Sequence, residues 1–98
     1  MTIEKELNDG KLVFKLAGSL DTTTAPNLEK EVNNLEEGIK ELVFDFENLK
    51  YVSSAGLRVI LITQKKAHNF KFYLTHVSTD VKEVLDMTGF SEFVKIVG

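Results

Sequence analysis

Two adjacent hydroxyls, Ser53 and Ser54, followed by the small residues Ala55 and Gly56 and then by Leu57 and Arg58, offer the clearest chemistry in this chain. They fall between an apolar, β-forming stretch (Leu42 to Phe46, then Leu49, Tyr51 and Val52) and a run, Leu57 to Ala67, long and apolar enough for a core helix. A serine at a strand-to-helix junction is a natural N-cap, because its oxygen accepts from a first-turn N–H that has no intrahelical partner. The same spot is the positive end of the helix dipole, where an added phosphate would meet free N–H donors. The junction therefore supports either a plain cap or a phosphorylation switch. With two serines, one can cap while the other stays free. The small side chains of Ala55 and Gly56 leave the helix start open to a partner or a kinase.

Competing chemistries have weaker footing. Ser54-Ala55-Gly56 resembles the end of a G-x-S-x-G nucleophile elbow, but Val52 stands where its first glycine is needed, and His68 and His76 do not complete a triad. Asp45 lies in an apolar strand, as a phospho-aspartate would. No acidic pair follows an early strand to hold Mg²⁺ beside it, so Asp45 reads as a carboxylate accepting a local backbone N–H. Neither phosphate-cradling glycine motif occurs, and two histidines eight residues apart in different elements make no metal pair. The reading is of a protein without catalytic activity, cofactor or metal.

The elements that must position the serines follow from periodicity. Asp9-Gly10 separates two alternating segments, Thr2 to Leu7 and Lys11 to Ala17, and suits the type I′ turn of a hairpin. Gly18 is expected to end the second strand. Asp21 to Pro26 reads as a helix start, with Ala25, Leu28, Val32 and Leu35 as the apolar stripe and Gly38 after its end. Glu41 to Phe46 is an interior strand, apolar on both faces apart from Asp45. A helix follows from about Ser54 to His68, then a strand from Lys71 to Thr75. A third helix is capped by Ser78 or Asp80 and stopped by Gly89, and Phe93 to Val97 forms a last strand. The order β-β-α-β-α-β-α-β, with right-handed parallel crossovers, gives an α/β fold: a mixed sheet of about five strands packed with three helices.

Composition narrows the function classes. The chain has 98 residues, 43% hydrophobic and 28% charged, which suits one globular domain over residues 1–98. A net charge of −3 and no basic run beyond Lys65-Lys66 argue against nucleic acid. There is no cysteine, so disulfides and thiolate chemistry are absent. No signal-like apolar core and no stretch of roughly 20 apolar residues appear, which points to a cytoplasmic protein without membrane insertion.

The motif residues carry a family resemblance. Ser53-Ser54-Ala55-Gly56-Leu57 is similar to the D-S-[ST]-G-L motif of STAS domains of the bacterial anti-sigma-factor antagonist type. Gly18-Ser19-Leu20-Asp21 with Thr24-Ala25 resembles their G-x-L-D…T-A signature, and Ser78 to Phe90 resembles their cap–helix–glycine ending. The three motifs stand in order and in register over essentially the whole chain.

The resemblance implies a STAS-like fold and a phosphorylation-gated interaction. The unmodified antagonist binds an anti-sigma factor that is also a serine kinase, freeing a sigma factor for transcription. Phosphorylation abolishes binding, and a serine phosphatase restores it. Alignment on Gly56 makes Ser54 the implied acceptor, with Ser53 in the usual aspartate position. The implied docking surface comprises Asp21, Thr22 and Thr24 with Ser53, Ser54, Ala55, Gly56, Leu57 and Arg58, and Arg58 could pair with the phosphate from one turn along. The alternative is a STAS subunit of a membrane lipid-transport complex, docked constitutively on an ATPase.

Overall fold

Asp9 and Gly10 both adopt positive φ, 52° and 83°, as the hairpin turn requires. In the computed structural model, which describes residues 1–98, they join β1 (Thr2–Asn8) to β2 (Lys11–Leu20). There follow α1 (Ala25–Asn33), β3 (Glu41–Val52), α2 (Ser54–Lys66), β4 (Lys71–Thr75), α3 (Thr79–Met87), a 3₁₀ turn at Phe90–Glu92 and β5 (Lys95–Val97). The sheet order is β1-β2-β3-β4-β5, antiparallel only between β1 and β2. Every parallel crossover steps in the same direction, so right-handed connections put all three helices on one face.

Burial agrees with that layering. Leu12, Phe14 and Leu16 of β2, Leu42, Phe44 and Phe46 of β3, and Phe72 and Leu74 of β4 share one core with Leu28 and Val32 of α1, Leu57 and Ile60 of α2, and Val81 and Leu85 of α3. Phe44 is its centre, stacked on Phe14 at 5.7 Å and edge-on to Phe72 at 4.8 Å. The opposite face carries no helix. There the register sets Glu4 beside Lys15, Lys15 beside Asp45, Lys11 beside Glu41, and Glu41 beside Lys71. Alternating charge across the strands keeps this face solvated and self-neutralising. The Glu6 carboxylate, hydrogen-bonded to Lys15, raises that ammonium's pKa, with smaller contributions from Glu4 and Asp45.

Four sequence expectations shift. β2 does not end at Gly18 but passes through it at φ 99° and on to Leu20. β3 extends beyond Phe46 to Val52, because it absorbs two extra residues against β2, one between Asp45 and Asn48 and one between Leu49 and Tyr51. α1 stops well before Gly38: the Asn34 amide donates to the Lys30 carbonyl at 2.9 Å and closes the last turn. The final strand is only Lys95–Val97, since Phe93 follows the 3₁₀ turn and is exposed.

Candidate functional site

The site is built where β2 and β3 end side by side. Leu20 pairs with Val52, and the next amide, Ser53 N–H, donates to the Leu20 carbonyl at 2.9 Å. That bond fixes the start of α2 against the end of β2. Gly56 makes the closeness possible: a Cβ there would lie 2.7 Å from Leu20 Cγ and 2.9 Å from the Leu20 carbonyl oxygen. The motif glycine is thus a packing requirement between helix and strand.

The two serines divide their roles. Ser53 has extended backbone (φ −91°, ψ 177°) and is the N-cap, its Oγ accepting from Gly56 N–H at 3.4 Å. Ser54, the first helical residue, is exposed. The first turn contains no acidic residue, so the positive end of the dipole is uncompensated beside the Ser54 hydroxyl.

Leu20 leads directly into the Asp21 turn, which therefore lies beside the serines. Asp21 Oδ1 accepts from Thr23 N–H (3.0 Å), Thr23 Oγ1 (2.7 Å) and Thr24 N–H (3.1 Å), while Oδ2 takes none of these bonds. The Thr23 hydroxyl first, then the backbone N–H groups of Thr24 and Thr23, hold the Asp21 carboxyl below the usual carboxylate range against a partial desolvation. Thr24 Oγ1 accepts from Asp21 N–H and donates to the Ser19 carbonyl, each at 2.8 Å. The turn is rigid, and it presents one free carboxylate oxygen.

Not every residue expected on the docking surface reaches it. Ser54, Thr22 and Arg58 are exposed, and Asp21, Thr24, Ser53 and Ala55 are half-buried. Gly56 and Leu57 are buried, because their side of α2 packs on the core, so they position the helix start without being accessible themselves. Arg58 is not an idle surface arginine: its Nη1 is 3.0 Å from Glu29 Oε1 of α1. Tyr51, absent from the expected set, is 54% exposed next to the serines. Period-two counting from buried Leu49 turns Tyr51 inward, but the extra residue at Lys50 rotates it out and Val52 in. The consecutive polar residues Glu47 and Asn48, which break the apolar pattern of β3, mark the first of its two irregularities in the sequence.

Both histidines lie in other elements, and only His76 has a side-chain partner. His68 lies beyond the far end of α2, and His76 Nδ1 is 3.0 Å from Asp45 Oδ1, which also accepts from Glu47 N–H at 3.0 Å. Asp45 thus accepts a backbone N–H, as expected, and additionally ties down the β4–α3 loop. Ligand atoms of Asp45, Glu47 and His76 fall within 4.8 Å of one another, with Lys15 opposite Asp45 in the register as competing cation. Ser54 lines none of the five surface concavities and sits on an open surface. No helix is long and apolar enough to cross a membrane.

Comparison with known proteins agrees with this geometry. The chain is 32% identical over 93 residues to BtrV of Bordetella bronchiseptica, whose name carries the designation anti-sigma factor antagonist; the match covers 92% of this chain and 80% of that one. Its fold is similar to the crystal structure of an anti-sigma factor antagonist from Mycobacterium paratuberculosis (TM-score 0.88, 24% identity, 97% of this chain and 83% of that chain). It is also similar to the phosphorylated form of the Bacillus cell fate determinant SpoIIAA (TM-score 0.74, 17% identity, 99% and 92%). The family model described as STAS domain matches residues 2–97, and the chain belongs to the STAS domain family.

Proposed function

We propose that this protein is an anti-sigma factor antagonist whose docking on an anti-sigma factor is gated by phosphorylation of Ser54. The observation that carries the reading is the division of labour at α2: Ser53 caps the helix while the Ser54 hydroxyl is exposed beside the rigid Asp21 turn. Further support comes from the antagonist designation of a relative 32% identical over most of both chains. The partner is an anti-sigma factor that is itself a serine kinase. In its reaction Ser54 Oγ attacks the γ-phosphorus of ATP, ADP leaves, and the hydroxyl proton passes to a base of the kinase. A serine phosphatase reverses the modification by hydrolysis.

Phosphorylation adds roughly −1.5 to −2 charges and three acceptor oxygens. The helix N-terminus accommodates that charge, so the fold is retained. A partner surface shaped around a neutral hydroxyl meets bulk, uncompensated charge and the cost of stripping water from the phosphate. A loss of about 3 kcal/mol in binding already corresponds to roughly a hundredfold in affinity.

The test is mass spectrometry after incubation with the cognate anti-sigma factor and ATP. One phosphate is expected on the wild type and none on Ser54→Ala. An unchanged mass, or a phosphate mapped to another residue, refutes Ser54 as the acceptor. Tight binding that survives Ser54→Asp refutes the gate and favours a constitutive docking subunit.

A further inference from the structure

Resting on Ser54 as the acceptor, we propose that Arg58 exchanges partners on phosphorylation: it leaves Glu29 of α1 for the phosphate, and the released Glu29 carboxylate joins the surface that the partner meets. Ser54 and Arg58 are four residues apart on α2 and thus neighbours on one side of the helix. Helical side chains lean toward the N-terminus, which carries the long Arg58 side chain back over the turn containing Ser54.

The existing pair with Glu29 is poorly placed to compete. It consists of one contact, Nη1 to Oε1 at 3.0 Å, with the arginine side chain 66% exposed. Exposed pairs of this kind are held weakly, and this one leaves the remaining guanidinium donors without the second bond of a fork. A phosphate carries about twice the charge of a carboxylate and accepts arginine bidentately. No acidic residue in the first turn of α2 competes for Arg58. The other charged groups of this end are Asp21 in the β2–α1 turn, whose Oδ1 is held within the turn while Oδ2 is free, and Lys50 near the end of β3; Arg58 contacts Glu29 and not Asp21.

The exchange spreads the signal. Before modification Arg58 and Glu29 neutralise each other. Afterwards Arg58 offsets part of the phosphate charge, and a second, separate negative charge opens on α1. A partner spanning both helices is repelled at two places, one of them on a residue that was never modified.

The experiment is a ³¹P NMR titration of the full chain carrying phosphoserine at position 54, installed during synthesis, in four versions: otherwise unchanged, Arg58→Gln, Glu29→Gln and both. Arg58→Gln is expected to raise the second phosphate pKa by about three quarters of a unit or more, the size expected for losing a unit charge about 4 Å away when the pair is fully screened by water. Glu29→Gln should lower it when Arg58 is present, by leaving the arginine wholly to the phosphate, and should change it much less in the Arg58→Gln background. Equal pKa values with and without Arg58 overturn the proposal. So does a Glu29→Gln effect of the same size in both backgrounds, which would mean that Glu29 acts only through its own charge. Arg58 is exposed, Glu29 is half-buried, and each glutamine replacement keeps the length of a side chain whose one partner is the other, so the variants fold. Because the phosphate is installed without a kinase, this titration failing overturns the exchange alone, whereas the mass-spectrometric test failing overturns the acceptor assignment.

Discussion

Replacing Gly56 by alanine should destabilise this protein, although the same change in an unobstructed helix stabilises it by up to about 1 kcal/mol. The added methyl would stand 2.7 Å from Leu20 Cγ, 3.0 Å from Leu20 Cδ2 and 2.9 Å from the Leu20 carbonyl oxygen. Rotation of the leucine side chain could relieve the first two contacts, but Leu20 is 0% exposed and has no free space to rotate into. The third contact is with backbone, and that oxygen already accepts from Ser53 N–H at 2.9 Å. Relief therefore requires α2 to move off the end of β2 by several tenths of an ångström, loosening the bond that positions both serines. Overpacking costs about 1–3 kcal/mol, and a clash with backbone that no rotamer relieves falls in the upper half of that range, about 2–3 kcal/mol, which leaves a net loss of about 1–2 kcal/mol after a gain of about 1 kcal/mol in helix propensity. For a chain of this size that corresponds to a drop in melting temperature of roughly 5–10 °C. Calorimetry or circular dichroism of the wild type and Gly56→Ala measures it directly. A variant as stable as the wild type, or more so, refutes the packing argument and the assignment of the motif glycine to strand–helix approach.

Ser53→Ala should cost only about 0.5–1 kcal/mol in urea unfolding, at the low end for a cap because the Oγ–Gly56 contact is a long 3.4 Å, and Ser54→Ala should cost less still. The Asp21 carboxyl has a folded pKa below its unfolded value, so its stabilisation is present above the unfolded pKa of about 4 and is lost as pH falls through the lower folded value. Melting temperatures from neutral pH down to strongly acid solution should accordingly fall more steeply for the wild type than for Asp21→Asn. Tyr51→Ala should leave stability within about 0.5 kcal/mol, since the side chain is 54% exposed, while weakening anti-sigma factor binding about tenfold or more, as loss of an aromatic anchor does. Calorimetric titration against the partner distinguishes this from a bystander residue, whose removal leaves the affinity unchanged.

The parts of the fold that depend on local chemistry were readable in the residues. Asp9-Gly10 has one good use, a turn with two positive φ values, and it serves that use. Ser78 caps α3, its Oγ accepting from Val81 N–H at 3.2 Å, and Gly89 ends that segment at φ 80°. What escaped was set by pairing between distant segments. The two extra residues in β3 exist only relative to β2, and they decide that Tyr51 faces out and Val52 in. The early end of α1 escaped because Asn34 supplies the C-terminal cap that a glycine usually provides. At the site, motif spacing located the serines correctly on the α2 junction. It could not separate exposed residues from those buried beneath them: Gly56 and Leu57 are of the second kind. Nor could it pair Arg58 with Glu29, which lie 29 positions apart and meet only once α1 and α2 pack on the same sheet face.

Whether a single oxygen governs docking is tested most directly by one affinity comparison. The unmodified protein and the protein carrying phosphoserine at position 54 are titrated into the cognate anti-sigma factor, with circular dichroism to confirm that both are equally folded. Tight binding by the first and a loss of about a hundredfold or more by the second is the predicted result. Equal affinities from two equally folded proteins would contradict it.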